Sequence, residues 1–301
     1  MRTSRTLAVA LCAVALTATA ACGKDGSPAG STDASASNAP ALPTYTVKTD
    51  VKIDSAILAE AKKRGQLIIG AKADQPNLGW EDVASGDRSG FDIEIAKMVA
   101  ADLGFTPQQI KWQTLVSSQR EPAIAKGQID FYVGTYSIND ERKKTVSFAG
   151  PYYIAGQDLL VKSDNTSITG PESTSGKNVC TATGSTSIQN IKQYNPKITQ
   201  FDTYSACVEK LMSGEVDAVT TDDAILKGYA SKYKGKLKVV GKPFTKENYG
   251  IGLNKDDKAL RDAISDALKA HEDNGDWKKA YDATLGASGS AAPEIPTLDR
   301  Y

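Results

Sequence analysis

Charged side chains follow several of the predicted strands, and such side chains could form a binding site for a charged molecule. Lys72 follows the first strand, Arg142 lies in the charged run from Asp140 to Lys144, and Asp222 follows a later strand. By spacing alone, Arg142 suits a surface arginine, Lys72 a solvated loop lysine and Asp222 the N-cap of the next helix. The alternative interpretation is that these residues bind a small charged molecule without covalent chemistry.

The sequence offers little for catalysis or metal binding. His271 is the single histidine, and its neighbours Lys269, Glu272 and Asp273 predict a solvated position. One histidine provides neither a histidine-based triad nor a zinc cluster. The Gly250–Gly252 pattern falls within a predicted strand, so it is no nucleotide-binding fingerprint. We therefore expect no catalytic residue, no metal and no cofactor.

Strands and helices alternate along the chain and must position the charged residues. The predicted elements are, in order, a strand at 67–70, a helix at 91–103, a strand at 129–133, a strand at 178–180, a helix at 205–212 and a strand at 216–219. Such alternation predicts an α/β protein with two similar lobes, each a mostly parallel sheet flanked by helices. Ligands of such sheets bind beyond the carboxyl ends of the strands.

The order of the elements also predicts the domain boundaries. We assign residues 51–156 plus 248–286 to lobe one and residues 157–247 to lobe two. Two extended apolar segments, Gln157–Lys162 and Asn248–Leu253, would link the lobes as a two-strand hinge. Residues 287–301 are rich in Ser, Ala and Pro, which predicts a disordered tail.

The N-terminal residues have the pattern of an export signal. Arg2 and Arg5 precede an apolar stretch at Leu7–Leu16, which is too short to span a bilayer as a mature helix. The sequence Thr19–Cys22 resembles a bacterial lipobox, so we expect a lipoprotein signal peptide at 1–21, lipidation of Cys22 and anchoring at the extracytoplasmic face of the membrane. An ordinary secretory signal with an incidental cysteine is the alternative. Polar small residues predict a disordered tether at 22–50.

Two further cysteines, Cys180 and Cys207, lie in the predicted folded region. An even pair in an oxidising compartment indicates a disulfide bond, and two buried free thiols are the alternative.

The composition bears on possible partners. Lys plus Arg and Asp plus Glu both number 36, so the formal net charge is zero. This balance argues against bulk attraction to nucleic acid, but it leaves room for a local charged site. We expect a monomer.

Three stretches of the sequence resemble the family-3 solute-binding proteins of polar amino-acid ABC transporters. They are Gly90–Ala96, then Ile129–Arg142 followed by Phe148–Tyr153, and finally Val216–Asp223. The resemblance implies the two-lobed type II periplasmic-binding fold, closure of the lobes on one amino acid, and delivery to an ABC permease and its ATPase. Three further stretches, Gly70–Pro76, Gln119–Glu121 and Ala155–Asp158, resemble actinobacterial glutamate-binding lipoproteins and imply glutamate as the ligand.

The resemblance also implies roles for individual residues. Arg142 would hold the α-carboxylate bidentately, and Asp222 would accept the α-ammonium. The loop residues Thr135, Ser137, Ser185 and Thr186 would complete the cradle with backbone N–H groups and hydroxyls.

Specificity would come from a second cation and from an aromatic side chain. Lys72 would pair with a γ-carboxylate. Arg120 is a second candidate for that role, and support of the first strand layer is its alternative. Gln75 stands where such binders often carry an aromatic, so Tyr136 or Tyr152 would contact the ligand instead; packing in the core or at the rim of the cleft is the alternative for both tyrosines.

Other functions remain open at this point. Glutamine, aspartate or asparagine are alternative ligands, and the same fold could present a ligand to a membrane kinase. A dehydratase-like enzyme on this fold would need a positioned general acid or base.

Overall fold

The computed structural model describes residues 40–288 and 292–301. The predicted signal peptide at 1–21, the lipidation of Cys22 and most of the predicted tether lie outside the described residues. Within the described ranges, no helix is long and apolar enough to cross a membrane.

The first part of the described chain forms most of lobe one. Its elements are α1 (Ala56–Arg64), β1 (Leu67–Ala71), β2 (Asp74–Gln75), β3 (Gly79–Glu81), β4 (Arg88–Ser89), α2 (Phe91–Asp102), β5 (Ile110–Thr114), α3 (Arg120–Ala125), β6 (Phe131–Tyr132), α4 (Asp140–Lys143) and β7 (Val146–Ala155). Ser55 caps α1 because its hydroxyl accepts the Leu58 N–H at 3.0 Å. Gly65 ends the same helix in the left-handed conformation.

Lobe two follows, and the chain then returns to lobe one. Lobe two contains β8 (Gln157–Lys162), β9 (Asn178–Ala182), α5 (Ser187–Lys192), β10 (Lys197–Phe201), α6 (Tyr204–Ser213), β11 (Ala218–Asp222), α7 (Asp223–Lys232) and β12 (Leu237–Val240). The elements that return to lobe one are β13 (Glu247–Asn254), α8 (Lys258–Asp273) and α9 (Asp276–Ala283).

Each lobe has a five-stranded sheet, and the two sheets share one pattern. The strand orders are β5-β1-β6-β13-β7 in lobe one and β10-β9-β11-β8-β12 in lobe two. In each sheet the first three strands are parallel neighbours, and the last two join the sheet through antiparallel pairs. The prediction of a two-lobed α/β fold is confirmed.

The chain crosses between the lobes at two adjacent places. One crossing is at Gly156, between β7 and β8, and the other lies between Val240 and Glu247. The crossing segments bond to each other, because the Phe244 N–H donates to the Gln157 carbonyl at 2.9 Å. The predicted linking segments are thus strands of the two sheets, and the crossings lie just beside them.

The predicted disulfide is confirmed. Cys180 in β9 and Cys207 in α6 are bonded, with their Cα atoms 5.5 Å apart. The bond joins α6 to the sheet of lobe two.

Asp299 and Tyr301 bond to the edge strand β7, in a segment whose composition predicts a disordered tail. The Asp299 N–H donates to the Gly150 carbonyl at 2.7 Å, and the Tyr301 hydroxyl accepts the Phe148 N–H at 2.9 Å. Composition does not reveal that a free strand edge is available for such bonds, and the disordered tail at 287–301 stays a prediction.

The end of the predicted tether also packs on lobe one. The Tyr45 hydroxyl donates to Glu94 at 3.0 Å, and the Tyr45 ring meets the edge of the His271 ring at 5.5 Å between centroids. His271 is 6% exposed, and its Nδ1 lies 3.0 Å from Asp276. The prediction of a solvated histidine is therefore wrong, because a segment distant in sequence covers it.

Candidate functional site

A narrow polar cavity lies between the lobes, beyond the carboxyl ends of the parallel strands. Lobe one lines it with Ser117, Arg120, Thr135, Ser137 and Arg142. Lobe two lines it with Ser185, Thr186, Ser187, Tyr204, Asp222 and Ile225. The structure thus brings most of the candidate ligand residues together, and it leaves Lys72 and Tyr136 behind the cavity wall.

Two arginine side chains lie next to each other on the lobe-one side. The guanidinium carbon of Arg120 is 4.3 Å from the centroid of the Tyr136 ring, and that of Arg142 is 4.9 Å from it. Both guanidinium groups also donate to the carbonyl oxygen of Gly184, each at 3.2 Å. Tyr136 is therefore a platform that orients both cations, and Gly184 bridges them from lobe two.

Local hydrogen bonds fix Arg142. Asn139 caps the short helix α4 by accepting the Arg142 N–H at 2.9 Å. The guanidinium donates to the Ser137 carbonyl at 2.6 Å and to the Glu121 carboxylate at 3.1 Å. Burial, then the neighbouring Arg120, lowers the pKa of Arg142 below its usual value. An anion entering the cavity would relieve this repulsion between cations.

Asp222 ends β11 and provides the one carboxylate among the described residues that line the cavity. Its Oδ2 accepts the Tyr249 hydroxyl at 2.6 Å, and its Oδ1 is buried without a hydrogen-bond partner. Burial, followed by the charge of Glu247, raises the pKa of Asp222 to about 8. The side chain makes no cap bond to α7, so an N-cap role does not account for it. An ammonium group of a ligand would provide the hydrogen-bond donor and the opposite charge that this buried carboxylate lacks.

Lys72 is buried rather than solvated. Its side chain is 4% exposed, and its Nζ donates to the Ser117 hydroxyl at 2.8 Å. Burial, followed by the charge of Arg120, lowers the pKa of Lys72 to about 7. Since Ser117 lines the cavity and Lys72 does not, Lys72 reaches the cavity only through that hydroxyl and through its charge.

Neither tyrosine that was a candidate for ligand contact lines the cavity. Tyr136 lies beneath the two arginines, and the Tyr152 hydroxyl donates to the buried Asp92 at 2.7 Å in lobe one. Tyr204, the first residue of α6, is the aromatic that lines the cavity.

Sequence reasoning missed four lining residues: Ser117, Ser187, Tyr204 and Ile225. The two serines have a visible signal, because Ser187 adjoins Thr186 and Ser117 shares a turn with Arg120. Tyr204 and Ile225 lie in the first turns of two helices, and no local pattern distinguishes them from core residues.

The lobes meet along the rim of the cavity. Asp74 of lobe one accepts the Ser205 N–H at 3.1 Å, and its carbonyl accepts the Tyr229 hydroxyl at 2.6 Å. The Nζ of Lys232 lies 3.8 Å from the centroid of the Trp80 ring. The structure is therefore a closed arrangement. In the part of the chain that is described, no group of three or more His, Cys, Asp and Glu side chains could hold a metal ion.

Two α/β lobes that close over a small charged cavity define a bilobed binding protein. The family described as bacterial extracellular solute-binding proteins, family 3, matches residues 67–287. The chain belongs to this family.

Similar proteins and similar solved structures are also named as amino-acid-binding proteins. The glutamate-binding protein GluB of Corynebacterium efficiens is 39% identical over 263 residues, which cover 83% of this chain and 89% of the relative. The glutamine-binding protein GlnH of Bacillus subtilis is 37% identical over 226 residues, covering 74% and 82%. The structure of an ancestral arginine-binding protein bound to glutamine has a TM-score of 0.70 and 36% identity, covering 74% of this chain and 99% of that one. These relatives are named as binding proteins, not as enzymes.

Proposed function

We propose that this protein captures L-glutamate outside the cytoplasm and delivers it to the permease of an ABC importer. The observation that carries the proposal is the set of charges in the cavity lining: two arginines, Arg120 and Arg142, and one carboxylate, Asp222. An acidic amino acid has two carboxylates and one ammonium, which complement this set one for one. The relative named as a glutamate-binding protein supports the same ligand.

Each charged group of glutamate has a partner in this proposal. Arg142 holds the α-carboxylate, and Asp222 accepts the α-ammonium from lobe two. Arg120 takes the γ-carboxylate, a role for which Lys72 is the first candidate by resemblance to the family. Lys72 instead supports the site through Ser117, since its Nζ donates to that hydroxyl at 2.8 Å. Because the ligand joins Arg142 in lobe one to Asp222 in lobe two, it favours the closed arrangement.

The family and the N-terminal sequence support a proposal for the location. We propose that Cys22 is acylated and that it anchors the protein at the extracytoplasmic face of the membrane. Incorporation of radiolabelled palmitate into the expressed protein, and its loss in Cys22→Ser, would test the anchor. A protein that is released to the medium without label would contradict it.

Calorimetric titration of the purified protein with glutamate, aspartate, glutamine and asparagine tests the ligand. We expect one site per chain and the tightest binding for glutamate. Arg120→Gln should weaken glutamate binding by about 10- to 100-fold, because a charged hydrogen bond in a buried site contributes about 1.5–3 kcal/mol. It should weaken glutamine binding much less.

The matched control is Lys126→Gln, at the other end of α3, where the side chain is exposed. It should leave all four affinities unchanged. Tighter binding of glutamine than of glutamate by the unmodified protein would make glutamine the ligand. An unchanged ratio of the two affinities in Arg120→Gln would remove Arg120 from the γ-carboxylate.

A further inference from the structure

Asp74 is a lobe-one carboxylate that lies outside the ligand cavity. It is the first residue of β2 and pairs with Trp80 in the short sheet β2-β3-β4. It is not one of the described residues that line the cavity. Its side chain and its carbonyl group nevertheless both accept hydrogen bonds from lobe two. These contacts indicate a role in joining the lobes rather than in touching the ligand.

Asp74 contacts two helices of lobe two. Its Oδ2 accepts the backbone N–H of Ser205 at 3.1 Å. Its carbonyl oxygen accepts the Tyr229 hydroxyl at 2.6 Å, and the same hydroxyl lies 3.3 Å from Oδ2. Ser205 is in the first turn of α6, and Tyr229 is in α7. Because Tyr229 is only 2% exposed, loss of its partner would leave a buried donor without a hydrogen bond.

The N-terminus of α6 donates hydrogen bonds to residues of both lobes. The first N–H groups of a helix have no partner within the helix itself. Thr203, the N-cap of α6, accepts the Ala206 N–H at 3.3 Å. Asp74 accepts the preceding N–H, that of Ser205, and a negative charge is also favoured at this end of a helix. The closed arrangement therefore gives α6 a second cap that belongs to the other lobe.

Both helices that Asp74 contacts begin at the cavity. Tyr204 is the first residue of α6, Asp222 directly precedes α7, and both line the cavity. The disulfide bond of Cys207 joins α6 to the sheet of lobe two. By holding the two helices, Asp74 fixes the lobe-two wall of the cavity against lobe one.

We propose that Asp74 is a positioning residue that caps α6 across the cleft and holds lobe two closed over the bound amino acid. The inference rests on the proposed function, because it requires that ligand binding closes the lobes. Contacts made only in the closed arrangement strengthen the binding of any ligand that needs closure. Since Asp74 does not line the cavity, its contribution should be the same for different amino acids.

Calorimetric titration of Asp74→Ala with glutamate and glutamine tests the assignment. We expect both affinities to fall by about 2- to 30-fold, the range for the loss of a helix-capping bond. The ratio of the two affinities should stay within about twofold of its value in the unmodified protein. Unchanged affinities, or a loss confined to one of the two amino acids, would overturn the assignment.

Binding kinetics separate a closure contact from general damage to the site. Trp80 lies at the interface, 3.8 Å from the Nζ of Lys232, so tryptophan fluorescence in a stopped-flow instrument can follow closure. In Asp74→Ala the dissociation rate should rise by the same factor as the affinity falls, and the association rate should change by less than about twofold. A loss that lies wholly in the association rate would contradict the proposal.

Two further variants and a control complete the test. Asp74→Asn can still accept from Ser205 and should bind within about threefold of the unmodified protein. Tyr229→Phe should weaken binding of both amino acids by about 2- to 12-fold, and it tests the contact even if Asp74→Ala does not fold. Asp87→Ala removes an exposed carboxylate beside β4 and should change neither affinity.

The proposed ligand and the Asp74 assignment can fail separately. If the unmodified protein prefers an amino acid other than glutamate, the proposed ligand is wrong, and the Asp74 variants are measured with that amino acid instead. If glutamate binds most tightly and Asp74→Ala binds it equally well, only the Asp74 assignment fails. If none of the twenty amino acids binds, both fail.

Discussion

Gly228 offers a way to block closure while strengthening the lobe that carries it. It lies within helix α7 of lobe two and faces Pro76 of lobe one across the cleft. A Cβ at Gly228 would overlap the carbonyl oxygen of Pro76 and would lie 3.3 Å from its carbonyl carbon. Because Gly228 has an ordinary helical conformation, alanine fits the helix itself. Gly228→Ala therefore penalises only the arrangement in which the lobes touch.

The two effects have opposite signs and can be estimated separately. Alanine in place of glycine inside a helix stabilises it by about 1 kcal/mol, which should raise the melting temperature of the ligand-free protein by about 2–4 °C. The overlap with Pro76 requires the lobes to separate by roughly 1 Å, and overpacking of this kind costs about 1–3 kcal/mol. The affinity for the ligand should therefore fall by about 5- to 150-fold.

Thermal unfolding and calorimetric titration measure the two effects on the same sample. Ser231→Ala, at an exposed position of the same helix, is the matched control and should change the affinity by less than about twofold. Small-angle scattering should show a larger radius of gyration for Gly228→Ala than for the unmodified protein when ligand is present. Unchanged affinity with a raised melting temperature would show that binding does not require the contact between α7 and Pro76. A lowered melting temperature would show that the substitution disturbs lobe two itself.

Three other perturbations follow from the structure. Burial raises the pKa of Asp222 from 3.8 to about 8 in the closed arrangement. The closed form therefore binds the proton of Asp222 more tightly than an open form does. Raising the pH from about 4 to about 8 should open the ligand-free protein and increase its radius of gyration in small-angle scattering. Cys180→Ser should lower the free energy of unfolding in urea by about 3–4 kcal/mol, because the disulfide closes a loop with a sequence separation of 27. Deleting residues 292–301 should lower it by about 3 kcal/mol, because the hydrogen bonds of Asp299 and Tyr301 to β7, the exposed ion pairs of Asp299 and Arg300, and the partly buried Leu298 are lost.

Each of these outcomes has its own control. Asp222→Asn should abolish the pH-dependent change in radius, and a change that survives in this variant would assign the effect to another group. Reductant should destabilise the unmodified protein as much as Cys180→Ser does and should leave that variant unaffected. Tyr301→Phe removes only the hydroxyl that accepts from Phe148 and should cost about 1 kcal/mol; a loss as large as that of the deletion would place the whole effect on this one side chain.

The sequence predicts the fold well because the signals for its elements are local. Glycine ends α1, α6 and the turn after α3, and apolar periodicity marks α2. A local pattern does not show where a segment packs by covering another one, as the segment around Tyr45 covers His271. The terminal segments around Tyr45 and Tyr301 have no periodicity of their own, and their order comes from hydrogen bonds to Glu94 and to the edge of β7.

The site shows the same division between local and tertiary information. The sequence by itself determined that charged and hydroxyl residues follow the strand ends, because turns and short loops fix where each strand stops. Only the tertiary structure decided that Arg120 faces the cavity while Lys72 lies behind Ser117, and that the Thr186 hydroxyl donates to Glu247. These choices depend on side-chain direction and on contacts between residues far apart in the chain, and a local pattern contains neither.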